Sequence, residues 1–137
     1  MMTSKNCFEY SIRTGREDEF TNITGLIENC IKESGIVNGT ALVFCPHTTA
    51  GVTINENTDP NVVRDILFML DKLFPKRNDF AHAGGNAHAH LKASYTGSSS
   101  TIIIENGHLK LGTCQRVYFC EFDGPRQRKV YIKLMEG

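Results

Sequence analysis

From Thr101 to Leu134 the apolar residues fall into short runs broken by strong turn signals. Thr101-Ile102-Ile103-Ile104-Glu105 is followed by Asn106-Gly107, the dipeptide most favoured in two-residue hairpin turns. His108–Leu111 then reads as the return strand. Val117–Phe122 and Lys129–Leu134 are two further strands, separated by the turn residues Asp123-Gly124-Pro125. No helix-period pattern survives in this stretch, so the C-terminal third must be a β structure and the chain cannot be an all-helical bundle.

The first two thirds add helices. Phe8, Tyr10 and Ile12 alternate with polar residues, as in a half-buried strand. Ile23, Leu26, Ile27, Cys30 and Ile31 follow at helical spacing, with Thr21 or Asn22 able to cap and Gly35 as the stop. Thr40–Cys45 is a buried strand ended by Pro46, and Val52–Asn55 is another. Asp59-Pro60 opens a second helix, whose apolar face runs through Val62, Val63, Ile66, Leu67, Leu70 and Leu73 to Phe74-Pro75. Residues 76–86 read as a loop. Asn86 can cap a third, shorter helix that Gly97 ends, with Ser98, Ser99 and Ser100 turning into the next strand. Few helices beside many strands predict one α+β domain with mixed or antiparallel sheets, spanning residues 1–137.

Charge and cysteine usage exclude several functions. Fifteen basic residues balance fifteen acidic ones, which speaks against a nucleic-acid partner. The five cysteines are odd in number and form no Cys-x-x-Cys pair, so neither a disulfide framework nor a cysteine-built zinc site is expected. The N-terminus shows no apolar signal-peptide core, and no apolar run is long enough to cross a membrane. A cytoplasmic protein is expected.

Four constellations carry chemistry. His82, His88 and His90 crowd into nine residues. Such a cluster fits either a metal site or a set of exposed or capping histidines, and spacing alone leaves both open. Positions two apart share a face of a strand but not of a helix, so His88 and His90 can share an ion only on extended backbone or across subunits. His47-Thr48-Thr49 follows a buried strand and offers a proton carrier with two hydroxyls, or else a self-bonded turn. Gly84-Gly85-Asn86 opens a helix, whose N-terminus attracts anions. Asp123 and Arg126 flank a turn, where the guanidinium either clamps a phosphate or forms a surface ion pair.

Together these segments resemble a known family. His47-Thr48-Thr49-Ala50-Gly51-Val52, Asn55-Glu56-Asn57, Gly85-Asn86-Ala87-His88-Ala89-His90-Leu91-Lys92-Ala93-Ser94, Glu105-Asn106-Gly107 and Phe122-Asp123-Gly124-Pro125-Arg126 are similar to the YjbQ/YugU-like proteins, also called the secondary thiamine-phosphate synthase family. The resemblance runs from about residue 8 to the C-terminus. It implies a homotrimer with a divalent metal ion, zinc first, held by His82, His88 and His90. It also implies a reaction joining a pyrimidine diphosphate to a thiazole phosphate with loss of pyrophosphate. On that reading His47 is the acid/base, Thr48 and Thr49 orient an anion, and Glu56 is a supporting carboxylate or base. Asn86 and Arg126 hold phosphate, and Asp123 fixes Arg126. A metal-dependent phosphate hydrolase and a non-enzymatic metabolite-binding module use the same parts. One departure is Cys114, where many members carry Trp.

Overall fold

The computed structural model describes residues 1–137. The elements in chain order are β1 (Met2–Ser4), β2 (Cys7–Arg13), β3 (Glu19–Asn22), α1 (Thr24–Ser34), β4 (Gly39–Phe44), β5 (Ala50–Glu56), α2 (Pro60–Leu73), α3 (Ala87–Thr96), β6 (Ser99–Glu105), β7 (His108–Leu109), β8 (Gln115–Glu121) and β9 (Gln127–Glu136). They form one α+β domain with two sheets. The larger runs β1-β2-β9-β4-β6-β7 and the smaller β3-β8-β5, and every pairing is antiparallel.

Alternation explains the layering. Phe8 and Ile12 of β2, Ala41 and Val43 of β4, Ile102 and Ile104 of β6, and Val130, Ile132 and Leu134 of β9 share the inner face of the large sheet. Ile23, Ile27, Cys30 and Ile31, the apolar stripe of α1 and its entry, cover them together with Val52, Val117 and Phe119 of the small sheet. The other side of β8 presents Tyr118 and Cys120 to a second cluster, closed by Leu70 of α2 and by Ala89 and Ala93 of α3. β8 is therefore buried on both faces, which is why it reads as a continuous apolar run rather than an alternation.

The helix boundaries follow local chemistry. Asp59 caps α2, its carboxylate accepting the Asn61 N–H at 2.9 Å. Gly35 takes a left-handed φ of 74° and returns its N–H to Ile31. Asn106 and Gly107 both sit at positive φ, 55° and 78°, and close the tight hairpin between β6 and β7.

Some expectations need correction. Thr21 pairs with Phe119 inside β3 instead of capping α1. Asn22 accepts the Thr24 N–H at 3.0 Å, but Ile23 occupies the N-cap position. Ser99 and Ser100 belong to β6, not to a turn. The return strand after Asn106-Gly107 is only two residues long. The turn at Asp123-Gly124-Pro125 joins strands of different sheets, β8 in the small one and β9 in the large one, so it closes no hairpin.

α3 docks on β5 at closest approach through glycine. The Gly97 carbonyl accepts the Val52 N–H at 3.0 Å, and a Cβ on Gly51 would lie 2.5 Å from that same oxygen. Gly51→Ala is therefore expected to push the end of α3 off the sheet, costing about 1–3 kcal/mol, measured as a lowered midpoint in urea unfolding.

Candidate functional site

The loop after β4 places His47 and Thr48 beside one face of α3. With His90, Ser94, Gly97 and Ser98 they line a groove of about 430 Å³. His90 and Ser94 are four apart and so share a helix face. The lining holds imidazoles and hydroxyls but no carboxylate, so nothing in it repels an anion.

His47 is held by the backbone. Its Nε2 accepts the Lys129 N–H at 2.9 Å, so the neutral ring carries its proton on Nδ1. Burial, then the nearby Arg128 charge, push the His47 imidazole below its ordinary value. The ring is thereby kept neutral, with Nδ1–H as a donor. Protonation must displace the Lys129 N–H. Because the folded value lies below the unfolded one, the unfolded chain binds the extra proton, and stability should fall as pH drops below about 6.5. Melting curves from pH 7.5 to 5.5 are expected to show a slope that His47→Gln flattens.

Thr48 and Thr49 part company. Thr48 is exposed at the groove. Thr49 is buried, and its hydroxyl and carbonyl both accept from Arg128 Nη2, at 2.8 and 3.2 Å. Arg128 also donates from Nε to Glu121 Oε1 at 2.8 Å and from Nη2 to Glu121 Oε2. Glu121 is 0% exposed and Arg128 3%. Both occupy inner-face positions where the apolar pattern of β8 and β9 would otherwise continue. Burial alone would raise the Glu121 carboxyl, but Arg128, the Asp123 N–H and the Thr14 hydroxyl together hold it below its ordinary value. This network carries the next turn: Glu121 accepts from Asp123 N, and the Thr14 hydroxyl accepts the Arg126 N–H.

On that turn, Asp123 accepts from Arg126 Nη2 at 2.9 Å and from the Asn86 amide at 2.9 Å. Asn86 Oδ1 lies 3.0 Å from His82 Nε2. The Asn86 side chain is thus committed at both ends. It links His82 to the Arg126 turn instead of capping α3 or offering itself to phosphate. Glu56 lies at the far end of β5, six residues from Ala50, about 20 Å along the strand. It does not join the groove, and its backbone carbonyl accepts from Tyr118.

The three histidines of residues 82–90 divide. His82 and His90 meet edge-to-face with ring centroids 5.3 Å apart. They line a shared opening with Phe80 and Leu91. Residue 88 lies in a regular helix, so His88 points away from His90. It is buried, not a loop residue, and lines a separate cavity with Asp18, Asp71 and Lys92. No three histidine, cysteine, aspartate or glutamate side chains are placed to hold one ion. A three-histidine centre therefore does not fit within a single chain, and only His82 and His90 remain together from that set.

Lys92 escaped the sequence reading. It is 1% exposed, donates to Asp18 Oδ2 at 2.6 Å and pairs with Asp71. Burial opposes its charge, yet the two carboxylates raise it above its ordinary value, while burial raises Asp18 despite the pairing. The available signal was its position, four residues after His88 on the same helix face. Arg128 gave no such signal, because its partners Glu121 and Thr49 are remote or hidden in an apolar run.

Residues 8–137 match the family model described as UPF0047 protein YjbQ-like. The UPF0047 protein YugU of Bacillus subtilis is 51% identical over 125 residues, 90% of this chain and 95% of the relative. A UPF0047 protein of Methanocaldococcus jannaschii is 47% identical, covering 98% of both chains. Among solved structures, a YjbQ/UPF0047 protein of Clostridium acetobutylicum superposes with a TM-score of 0.91 at 61% identity, over 93% of this chain and 99% of its own. A protein of unknown function from Sulfolobus solfataricus reaches the same TM-score at 30% identity, over 96% of each chain.

Proposed function

Since the chain belongs to the UPF0047 family of YjbQ-like proteins, we propose that it is an enzyme acting on small phosphorylated metabolites in the His47–His90 groove, by a transfer of the thiamine-phosphate synthase type. The observation that carries the reading is the donor set of that groove. His47, whose Nδ1–H is free to donate, lines one groove with Thr48, Ser94, Ser98 and His90, with no carboxylate among them.

In the transfer, the thiazole nitrogen attacks the carbon bearing the diphosphate, a C–N bond forms, and pyrophosphate departs with the electron pair. Negative charge builds on the leaving oxygens, where preformed donors stabilise it most. His47 Nδ1–H and the three hydroxyls hold those oxygens, and His90 supplies the proton that pyrophosphate takes up. Arg126, aimed by Asp123, holds the phosphate of the second substrate. The groove is open to solvent, which leaves room for another subunit. The outward face of the large sheet shows Phe44, Ile103 and Met135, an apolar surface on β4, β6 and β9 for the homotrimer implied by resemblance to bury. The divalent ion implied by resemblance, zinc first, finds only His82 and His90 together here, and no step of this mechanism runs through it.

The test is an assay of purified protein with both precursors. Formation of thiamine phosphate with stoichiometric pyrophosphate supports the transfer. Release of phosphate or pyrophosphate without the thiazole replaces it with hydrolysis. Sedimentation velocity reads the trimer, against a monomer of 15.3 kDa.

A further inference from the structure

Beside the groove, the loop before α3 and the first turns of that helix enclose a second depression, of about 420 Å³. Phe80, Ala81, Ala87 and Leu91 make its apolar wall, and His82 and His90 complete it. No carboxylate, ammonium or guanidinium enters the lining, so neither an anion nor a cation finds a charged partner there. Phe80 is half-buried and Leu91 is 40% exposed. Apolar surface is thus left in water, and covering it is favourable.

This opening is continuous with the groove, because His90 and Ser94 line both. The two residues stand one turn apart on α3, about 6 Å along its axis. A ligand whose anion lies against His47 and the groove hydroxyls therefore reaches the apolar wall with whatever group a short arm attaches to that anion.

The aromatic part of the wall is set in advance. Asn86 Nδ2 donates to Asp123 at 2.9 Å, so Oδ1 is the end turned to His82 Nε2, 3.0 Å away. Nε2 must then carry a proton and donate it to that oxygen. Gly84 lets the bond close, since a Cβ there would lie 2.7 Å from His82 Nε2 and 3.1 Å from Asn86 Oδ1. His82 in turn meets His90 edge-to-face at 5.3 Å. Rings packed in this way offer a further ring the same edge-on or offset contacts.

We propose that this opening is the subsite for a flat aromatic ring, carried on a short arm from the anion that the groove holds. The inference rests on the groove reading of the function and adds the class of its substrate, an arylmethyl phosphate or diphosphate. His82 and Leu91 contact the ring, and Asn86 positions His82.

The experiment titrates the full isotope-labelled chain, followed by NMR at one fixed pH, with three phosphonates, whose C–P bond resists hydrolysis. Benzylphosphonate, cyclohexylmethylphosphonate and methylphosphonate share one head group and differ in what it carries. Benzylphosphonate is expected to bind about tenfold or more tighter than methylphosphonate, the gain for a ring taken partly out of water. Cyclohexylmethylphosphonate, which is not flat, should gain less. Leu91→Ala removes apolar wall, and Gly84→Ala displaces His82 from Asn86. Each should abolish most of the benzyl gain and leave methylphosphonate affinity unchanged, at exposed positions where folding is not at risk. Equal affinity for benzyl- and methylphosphonate would overturn the ring subsite and leave the anion groove standing. Binding of neither would overturn both. A gain as large with the cyclohexyl compound, or one unchanged in both variants, would also overturn the proposal.

Discussion

Arg128→Met is expected to destabilise the protein by about 3–5 kcal/mol, because it leaves Glu121 buried and charged without its partner. Glu121 is wholly enclosed and takes the Nε and Nη2 edge of the guanidinium. The same substitution strips Thr49 of its donor. Glu121→Leu alone should cost as much, by stranding Arg128. The double variant, in which both charges go, should recover most of the loss, since well-packed apolar replacements of a buried pair are often near neutral. Urea unfolding of the four proteins completes the cycle. Acid adds a second reading. The folded Glu121 value lies below the unfolded one, so its contribution is present above about pH 4.5 and is lost as pH falls below it. The double variant should lack that part of the acid transition. Because Glu121 and Thr14 also hold the turn at residues 123–126, Arg128→Met should loosen Arg126 and raise KM even at temperatures where the fold persists.

His90→Ala is expected to lower kcat for thiamine-phosphate formation by about 10²–10⁴-fold, the usual contribution of a positioned proton donor. The loss should appear in kcat rather than in the thermal midpoint, because His90 lines an open groove and has only an edge contact with His82. His108→Gln makes the control. His108 is exposed on the β6–β7 hairpin, pairs with Glu28 of α1, and should leave kcat unchanged. Equal losses in both variants would point to a general effect on folding instead of chemistry in the groove.

Much of this architecture is legible in local pattern. The caps at Asp59-Pro60 and Gly35, the Asn106-Gly107 turn and the alternation in β2 each follow from a few neighbouring residues. What is not legible depends on distant partners. β3 is four residues with no apolar alternation, and it becomes a strand only because β8 offers an edge. β9 lies between β2 and β4, a pairing that no turn signal near residue 124 can encode. The site divides the same way. His47, Thr48 and the Asp123–Arg126 pair stand out from residue type and position. The histidine cluster is legible as a cluster but not as a geometry, because closeness in sequence is not convergence: on a helix, a step of two turns His88 and His90 apart. Arg128, Glu121 and Lys92 carry the burial-dependent chemistry, and burial is a property of the whole fold.

Titration of the isotope-labelled protein with pyrophosphate, followed by NMR, tests the groove most directly. Saturable shifts confined to His47, Thr48, His90, Ser94 and Ser98, lost together in His47→Phe, are the predicted result. Saturable shifts centred instead on Lys76, His88 and Lys92, or no saturation at any residue, would contradict it.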